Sequence, residues 1–298
     1  MEYHNPVLLQ ESVDGLNIKP DGVYVDVTFG GGGHSAEILS RLGENGKLFG
    51  FDQDPDALEN KIDDPRFTLI PENFRFIKRF LRFHSTKVVD GILGDFGVSS
   101  HQFNVAERGF STRFDSKLDM RMNQKSSLSA YEVVNEYEQD HLKKLFYEYA
   151  DLRIAPKLAA EIVKAREEAP IDSSERLKEV LKPFLFKEKE HKILAQIYQA
   201  IRIEVNQELD VLKEFLLQTP ELLKKGGRLS LISYHSLEDR LVKRYIRSGL
   251  FEGEPEKDFF GNISVPFKKV GGLIVPSAEE IALNNRARSA KLRIAKRL

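Results

Sequence analysis

The sequence predicts an α/β fold in which a doubly wound parallel sheet is interrupted by an inserted, mostly helical small domain. Three observations support this prediction. Short β-branched or aromatic runs alternate with helical patterns over residues 23–95, and a run of four glycines follows the first strand. Residues 129–185 then have helical patterns with no strand-like run. Strand–helix alternation at this spacing is typical of a parallel sheet.

Four strands are predicted in the first third of the chain. They are Val23–Val25, Lys47–Phe51, Phe67–Ile70 and Val88–Asp95. Between them, a helix is predicted over Ser35–Leu42. A second helix begins at Asp54-Pro55, where an N-cap residue precedes a proline at the first helical position. The stretch from Phe74 to Lys87 is helical by its spacing.

The following segment breaks this alternation. Residues 103–123 are predicted to form a loop. Capping boxes then start helices at Ser129-Ala-Tyr-Glu132 and, in an acid-capped form, at Asp172-Ser-Ser-Glu175. A single helix is predicted over residues 189–218, because its apolar residues recur every three or four positions, and Pro220 lies just past its end.

The last part of the chain returns to the sheet. Lys225-Gly226-Gly227 predicts a turn before a strand over Arg228–Ser233, Ser236 is expected to cap the next helix, and Ser277 a final short one. These elements predict a discontinuous domain of residues 1–105 and 206–298. Residues 106–205 form the inserted helical domain, for which substrate recognition is expected.

Composition limits the kinds of chemistry. The 298 residues correspond to one large or two modest domains, and the formal net charge is −1. The absence of cysteine excludes disulfides, thiolate metal sites and cysteine nucleophiles. A secretory signal pattern and an apolar run long enough to span a membrane are both missing, which predicts a cytoplasmic protein without a membrane partner.

Basic residues concentrate in two places on this nearly neutral chain. Six lie between Arg286 and the C-terminus, and five lie among the phenylalanines between Phe74 and Lys87. Such stripes are consistent with contacts to phosphate groups. A solvated helix face is the alternative, and the sequence leaves both open.

The glycine run Gly30–Gly33 lies between the first strand and a helix. Glycines there permit positive φ angles, and they let a ligand approach the main chain at a helix N-terminus. Asp52 follows the second strand, 22 residues after Gly30, where a carboxylate can accept hydrogen bonds from ribose hydroxyls. The alternatives are a turn needed only for packing and, for Asp52, a helix cap.

Two details of the sequence indicate which kind of ligand the glycine turn binds. The dinucleotide pattern Gly-x-Gly-x-x-Gly fails at Ser35, and Asp26 places negative charge where a pyrophosphate would lie. A cationic ligand with a ribose, such as S-adenosylmethionine, fits better. Two other interpretations remain open: a nicotinamide-dependent dehydrogenase and a non-enzymatic RNA-binding or assembly factor.

The loop after the fourth strand, Asp95–Gln102, has an acid followed by an aromatic residue. An acceptor at this position can bind the N–H groups of an exocyclic amine, while an aromatic face holds a flipped base. A structural loop is the alternative. His34, His101 and His235 fall in three separate loops without a metal-ligand spacing, so no metal is predicted.

Several segments, in the same order along the chain, resemble the bacterial 16S ribosomal RNA (cytosine-N4) methyltransferase family. They are His4–Leu9, Asp26–Ser35, Gly91–Gln102, Glu107–Ser111, Leu118–Met122, Gln199–Leu209, Gly226–Arg240 and Arg286–Ala290. The resemblance implies a Rossmann-like methyltransferase domain with an inserted helical domain. It also implies transfer of a methyl group from S-adenosylmethionine to N4 of a cytidine in the decoding region of 16S rRNA.

The resemblance also assigns roles to individual positions. For the cofactor it implies Gly32, Gly33, His34, Asp52, Phe74, Asp95 and Gln102, which moves Phe74 from the basic stripe to the cofactor site. Asp95 is the expected catalytic residue. The target is expected to approach Ser99, His101, Tyr234 and His235, and the partner is 16S rRNA, expected within the small ribosomal subunit.

The chain departs from the family pattern at Ser116, Lys117, Asn123, Ala150 and Asn285. Its oligomeric state is undetermined, with a homodimer left open.

Overall fold

The structure is a computed structural model that describes residues 6–185, 189–261 and 263–298, apart from the side chain of Ser100. His4 and Asn5, which begin the first family-like segment, lie outside the described residues. The chain divides into two compact units. The first contains Met1–Gly97 and Leu209–Leu298, and the second contains Val98–Glu208.

The first unit contains a seven-stranded sheet with the strand order β3-β2-β1-β4-β5-β7-β6. The strands are β1 (Val23–Asp26), β2 (Lys47–Phe51), β3 (Phe67–Ile70), β4 (Val89–Asp95), β5 (Leu223–Ser233), β6 (Phe267–Ile274) and β7 (Lys291–Arg297). The pairs among β1 to β5 are parallel, and β7 pairs antiparallel with both β5 and β6. The α/β class is confirmed, with a mixed rather than a purely parallel sheet.

Thirteen α-helices occur in the described part of the chain. They are α1 (Leu9–Gly15), α2 (Gly33–Arg41), α3 (Pro55–Leu58), α4 (Ile77–Phe83), α5 (Ser100–Asn104), α6 (Ala130–Glu136), α7 (Gln139–Ala150), α8 (Ala155–Glu168), α9 (Ser174–Leu181), α10 (Glu190–Asn206), α11 (Glu208–Leu222), α12 (Ser236–Ser248) and α13 (Ala278–Leu283). Among the described residues, none of these helices is both long and apolar enough to cross a bilayer.

Both faces of the central strands β1, β2 and β4 are buried. Successive side chains of a strand point to opposite faces, and in β1 Tyr24 and Val25 enter two different apolar clusters. Val25 packs with Phe51 and Ile92 on one face, whereas Tyr24 packs with Leu48 on the other. Helices cover the two faces, so polar groups that are available to a ligand concentrate at the strand ends.

The predicted helix over residues 189–218 was wrong in one respect. Gln207 has a φ angle of 50° and caps α10 through N–H bonds to Glu204 and Ile203, so α10 and α11 are separate helices. One left-handed residue changes the helix direction without interrupting the apolar spacing, which explains why the sequence pattern did not reveal the break.

Pro220 lies inside α11 rather than beyond it. A proline there has no N–H to donate to the carbonyl of Leu216. The hydroxyl of Thr219 donates to that carbonyl at 2.6 Å instead. The helix therefore continues through the proline to Leu222.

The predicted helix starts have mixed outcomes. Asp54 caps α3, Ser129 forms the capping box of α6 with Glu132, and Ser277 caps α13, all as predicted. Two caps were misplaced by one residue. Ser173 rather than Asp172 caps α9, and His235 rather than Ser236 caps α12.

Most of the basic C-terminal stripe is a strand, and only Arg286 and Arg288 lie in a short 3-10 helix before it. Lys291–Arg297 forms β7. Arg293 binds Asp239 through two hydrogen bonds of 2.7 and 3.1 Å, and Arg297 donates to the carbonyl of Pro220 at 2.8 Å. Arg293 and Arg297 of the basic stripe are therefore used in contacts within the protein.

The second unit is all-helical, with α5 to α10 around an apolar core that includes Leu142, Phe146, Ile162, Ile197 and Ile201. It follows the elements of the first unit that end at Gly97 and precedes those that begin at Leu209. This unit is therefore an insertion in the chain order of the sheet-containing unit.

Candidate active site

The carboxyl ends of four neighbouring parallel strands lie at one edge of the sheet in the first unit. In the order β2-β1-β4-β5, these strands are followed or ended by Asp52, Asp26, Asp95 and Tyr234. The chain order reverses beside β1, because β2 lies on one side of it and β4 on the other. Ligands of open α/β sheets bind at such a switch point.

The glycine turn leads from β1 into α2. Gly32 is the N-cap of α2 with a φ angle of 77°, a left-handed conformation that favours glycine. A Cβ atom on Gly33 would lie only 2.2 Å from Cγ of Pro6, so close packing excludes a side chain there. The first N–H groups of α2 are available to a ligand in geometries of this kind. The cofactor contacts of Gly32 and Gly33 stay a prediction.

Asp26 is fully buried and binds the residues on both sides of the glycine turn. Its carboxylate accepts hydrogen bonds from Ser35 Oγ at 2.7 Å and from the N–H of Thr28 at 3.1 Å. Burial raises the pKa of Asp26 to about 6. The sequence had indicated Asp26 only as a negative charge near the ligand. The structure adds that it ties the end of β1 to the first turn of α2.

Asp52 binds the glycine turn from the neighbouring strand. One of its carboxylate oxygens accepts the N–H of Gly30 at 2.8 Å, and the other accepts the N–H of Asp54 at 2.9 Å. Desolvation raises its pKa to about 6. Asp54, not Asp52, caps α3, so the capping alternative for Asp52 does not hold. Each oxygen of Asp52 retains a lone pair that can accept a further hydrogen bond.

Asp95 ends β4 and is held on two sides. Its N–H donates to Thr28 Oγ1 at 2.6 Å, and its carboxylate accepts the hydroxyl of Tyr234 at 2.8 Å. Burial raises the pKa of Asp95 to about 6, against the lowering effects of His34 and of the Tyr234 hydrogen bond. The Tyr234 pKa is raised by burial and by the Asp95 carboxylate. The two predicted residues therefore form one hydrogen-bonded pair.

The carboxylates of this edge affect one another. Besides burial, Asp54 and Asp26 raise the pKa of Asp52, and Asp26 and Glu238 raise that of Asp95. Several acids at one strand edge create a negative potential. A cationic ligand lowers the cost of ionising them, whereas a pyrophosphate increases it.

His34 fastens the segment Pro6–Leu8 to the glycine turn. Its ring Nε2 lies 3.2 Å from the carbonyl oxygen of Val7, and the side chain is buried. The N–H of Leu8 donates to Glu280 Oε1 at 2.7 Å. The sequence offered no signal for either contact, because the partners are far apart in the chain. The predicted cofactor role of His34 stays a prediction.

Phe74 follows β3 and is half-buried. Its ring lies 5.8 Å from that of Phe96 and 5.4 Å, edge-on, from that of Phe215. Asn73 caps the short helical turn that begins at Phe74. The ring is therefore held by aromatic packing within the sheet-containing unit, and not by the basic side chains that follow it in sequence.

Glu238 is a buried acid that the sequence did not single out. Its carboxylate accepts the N–H of Tyr234 at 2.9 Å and that of His235 at 3.3 Å. The His235 ring contacts the same carboxylate, with Nε2 3.1 Å from Oε1. Glu238 thereby fixes the turn that carries Tyr234. The sequence predicted a helix cap at Ser236, one residue after His235, and did not predict the capping box that includes Glu238.

Ser99, His101 and Gln102 belong to the second unit. Ser99 and Gln102 form a reciprocal capping box at the start of α5, in which the N–H of Ser99 donates to Gln102 Oε1 at 3.0 Å. Gln102 is buried and His101 is exposed. Their proposed contacts with cofactor and target stay predictions.

Two of the family-like segments, Glu107–Ser111 and Leu118–Met122, lie close together within the second unit. Gly109 has a φ angle of 71°, and a Cβ atom there would lie 2.6 Å from the carbonyl oxygen of Lys117. Asn206 accepts the N–H of Met122 and donates to the carbonyl of Met120, both at 2.8 Å. These segments therefore build a loop whose backbone is held by side chains.

A Rossmann-like sheet with a glycine turn after β1, a carboxylate after β2 and another at the end of β4 is the arrangement expected of an S-adenosylmethionine-dependent methyltransferase. The residues present fit this donor. Asp52 has acceptor capacity for ribose hydroxyls, and the acids of raised pKa favour a cation. When bound, S-adenosylmethionine supplies a methyl group on a positively charged sulfur.

Comparisons with known proteins agree with this class. The family model of the MraW methylase family matches residues 1–298. The ribosomal RNA small subunit methyltransferase H of Christiangramia forsetii is 78% identical over 298 residues, which are 100% of this chain and 99% of the relative. The protein of the same name from Flavobacterium johnsoniae is 70% identical over 298 residues, with 100% and 99% covered. That of Bacteroides fragilis is 56% identical over 296 residues, with 99% and 97% covered.

The chain belongs to the MraW methylase family. It is a methyltransferase, and S-adenosylmethionine is its methyl donor. The resemblance that the sequence motifs indicated is confirmed, and the dehydrogenase and the non-enzymatic RNA-binding factor are set aside.

Proposed function

We propose that this protein methylates the exocyclic N4 of a cytidine in the decoding region of 16S rRNA, acting in the cytoplasm on the small ribosomal subunit. The observation that carries this proposal is the Asp95 carboxylate at the end of β4, held by Tyr234 at 2.8 Å beside the glycine turn. The names of the relatives, which refer to small-subunit ribosomal RNA, support the substrate class.

The proposed residue roles are those that the sequence analysis assigned. Asp52 would accept the ribose hydroxyls, and Phe74 would lie beside the adenine. Gly32, Gly33, His34, Asp95 and Gln102 complete the proposed cofactor site, and Ser99, His101, Tyr234 and His235 the proposed target site.

The chemistry requires an acceptor at the target amine. The N4 lone pair of cytosine is delocalised into the ring, which makes the amine a weak nucleophile. A carboxylate that accepts hydrogen bonds from its N–H groups favours rehybridisation of the nitrogen. As the new N–C bond forms, the S–CH₃ bond breaks and its electron pair stays on sulfur. The proton that N4 loses passes to the Asp95 carboxylate and from there to solvent.

The test is direct. The protein is incubated with labelled S-adenosylmethionine and either small-subunit particles or naked 16S rRNA, and the modified nucleoside is mapped. N4-methylcytidine in the decoding region is expected. Label in another base or at a carbon atom would contradict the proposed target and leave the methyltransferase class intact.

Replacing Asp52 with alanine is expected to weaken S-adenosylmethionine binding by about 1–3 kcal/mol, because the ribose hydroxyls lose a charged acceptor. Calorimetric titration measures the change. Asp56→Ala, on the neighbouring helix α3, is the matched control and should leave the affinity within about twofold. Unchanged affinity in Asp52→Ala would refute the ribose assignment.

The affinity for S-adenosylmethionine is expected to rise with pH through about 6. Asp26, Asp52 and Asp95 have pKa values raised to about 6 in the free protein. A cation stabilises their charged forms, so binding releases protons near this pH and strengthens as pH increases. Titrations between pH 5 and 8 measure the slope. S-adenosylhomocysteine, which lacks the sulfonium charge, should show a shallower dependence, and equal slopes would argue against a role of the sulfonium.

A further inference from the structure

The basic and aromatic stretch from Phe74 to Lys87 is not accounted for by the active site. Phe74 packs in the aromatic cluster, but the residues that follow form α4 and the loop to β4. They line an open cleft of about 700 Å³ together with the end of α11. We call this feature the basic cleft. Its lining includes Lys78, Arg82, Lys87, Glu221 and Leu222.

The basic cleft lies at the edge of the sheet opposite to the active site. Val88 directly precedes β4, Leu222 directly precedes β5, and Val89 pairs with Leu223 at the amino ends of these strands. Asp95 is at the other end of β4. This strand has seven residues, and a rise of about 3.3 Å per residue separates its ends by about 20 Å. One nucleotide cannot occupy both places.

Three acids around the cleft are each bound to a base. Glu214 binds Arg75 through a bidentate pair, Glu221 binds Lys78, and Asp90 accepts a hydrogen bond from Lys224 at 2.7 Å. Among the described residues that line the cleft, Glu221 is the one acid, and Lys78 neutralises it. The charge that remains is therefore positive.

Arg79, Arg82, Lys87 and Lys225 carry this remaining charge. All four are exposed, and no ion pair within the described residues includes any of them. Lys78 lowers the pKa of Glu221 most strongly, and the charge of Arg82 lowers it further. The Arg82 charge therefore lies near the Glu221 carboxylate. A group of unpaired, exposed cations around a concave surface is suited to phosphate oxygens.

Exposed aromatic rings accompany these charges. On the same segment, 79% of Phe83 and 43% of Phe76 are exposed. Aromatic rings next to Arg and Lys provide stacking faces for unpaired bases. The combination favours a nucleic acid over an acidic protein surface.

We infer that the basic cleft binds the sugar–phosphate backbone of a second segment of the small-subunit RNA, distinct from the segment that carries the target nucleotide. The inference rests on the proposed function, since it assumes an RNA substrate. Backbone contacts add affinity without sequence preference. The protein thereby engages a folded RNA at two places and discriminates it from a short oligonucleotide.

The test compares three double variants. Arg82→Gln/Lys87→Gln removes two charges, Arg82→Lys/Lys87→Arg keeps them, and Lys268→Gln/Lys269→Gln removes two exposed lysines of β6 as a control for net charge. For each, KM and kcat are measured with small-subunit particles, and binding of protein-free 16S rRNA is measured as a function of salt. Calorimetry with S-adenosylmethionine verifies that each variant is folded.

In the glutamine variant of the cleft, RNA affinity should fall about 15- to 30-fold at 0.15 M salt, and the slope of log K against log salt should decrease by about 1.5–2. The loss should appear in KM rather than in kcat, and the charge-keeping variant should retain wild-type values. Equal losses in the β6 control, or a loss with particles but not with protein-free RNA, would overturn the inference, the latter in favour of a protein partner. If the wild type does not methylate small-subunit RNA, the proposed function fails. If the wild type does and the cleft variant matches it, this inference alone fails.

Discussion

Replacing Asp95 with alanine is expected to lower the rate of methyl transfer by about 10²–10⁴-fold, the range of positioned acid–base groups. The Asp95 carboxylate accepts the Tyr234 hydroxyl, and the backbone N–H of Asp95 donates to Thr28 Oγ1. Loss of the carboxylate removes the acceptor for the target amine. Affinity for S-adenosylmethionine should fall much less, by no more than about tenfold. Single-turnover rates with labelled donor and calorimetric titration measure the two quantities separately.

Tyr234→Phe is the companion variant, because it removes one hydrogen bond to Asp95 and keeps the ring. That hydrogen bond lowers the pKa of Asp95, so its loss raises this pKa. Activity depends on the charged carboxylate, and the acidic limb of the pH–rate profile should therefore move to higher pH. The variant should lose more activity at pH 6 than at pH 8. If Asp95→Ala reduces binding and rate equally, Asp95 is only a cofactor ligand.

Replacing Gly33 with alanine is expected to destabilise the protein by about 1–3 kcal/mol and to weaken S-adenosylmethionine binding at least tenfold. The new Cβ would lie 2.2 Å from Cγ of Pro6, so either the segment Pro6–Leu8 or the glycine turn must move. Movement of the segment breaks the contacts of Val7 with His34 and of Leu8 with Glu280. Denaturant unfolding and calorimetry measure the two effects.

A second-site change separates this clash from a general effect of alanine. In the double variant Pro6→Ala/Gly33→Ala the colliding Cγ is absent, and the remaining Cβ of residue 6 lies at an ordinary contact distance of 3.5 Å. The double variant should recover part of the stability and affinity that Gly33→Ala loses. Losses that simply add, as for independent sites, would show that the contact with Pro6 is not the cause.

Local signals predicted much of the fold. The first four strands lie where short apolar runs predicted them, and Asp54-Pro55, Ser129 and Ser277 start helices as expected. In each case the physical cause acts within a few residues, as an alternation of buried side chains or as an N-cap. Elements with weaker local signals were missed. The edge strand β6 is mostly exposed and contains Gly271 and Gly272, so it has no apolar alternation.

Errors arose where distant residues decide a local outcome. The break at Gln207 separates two helices whose apolar spacing continues through it. β7 is rich in basic residues, and its strand conformation depends on pairing with β5 and β6. The strand conformation of β7 therefore depends on partners that a short window of sequence does not contain. The cap of α12 was a local error instead, because Glu238, three residues further on, accepts the N–H of His235.

By itself, the sequence determined the family, the chain positions of the first four strands, and the positions of Asp52 and Asp95 at the carboxyl ends of their strands. Only the tertiary structure decided how these groups are held. The hydroxyl of Tyr234 reaches Asp95 across 139 residues of chain, and the carboxylate of Glu280 reaches the backbone of Leu8 across 272. The physical reason is that strand register and crossover direction set these long-range contacts. Three contacts hold the glycine turn in place. Asp26 accepts hydrogen bonds from Thr28 and Ser35 on either side of the turn, and Asp52 of the neighbouring strand accepts the N–H of Gly30. Pro6 of the amino-terminal segment packs against Gly33.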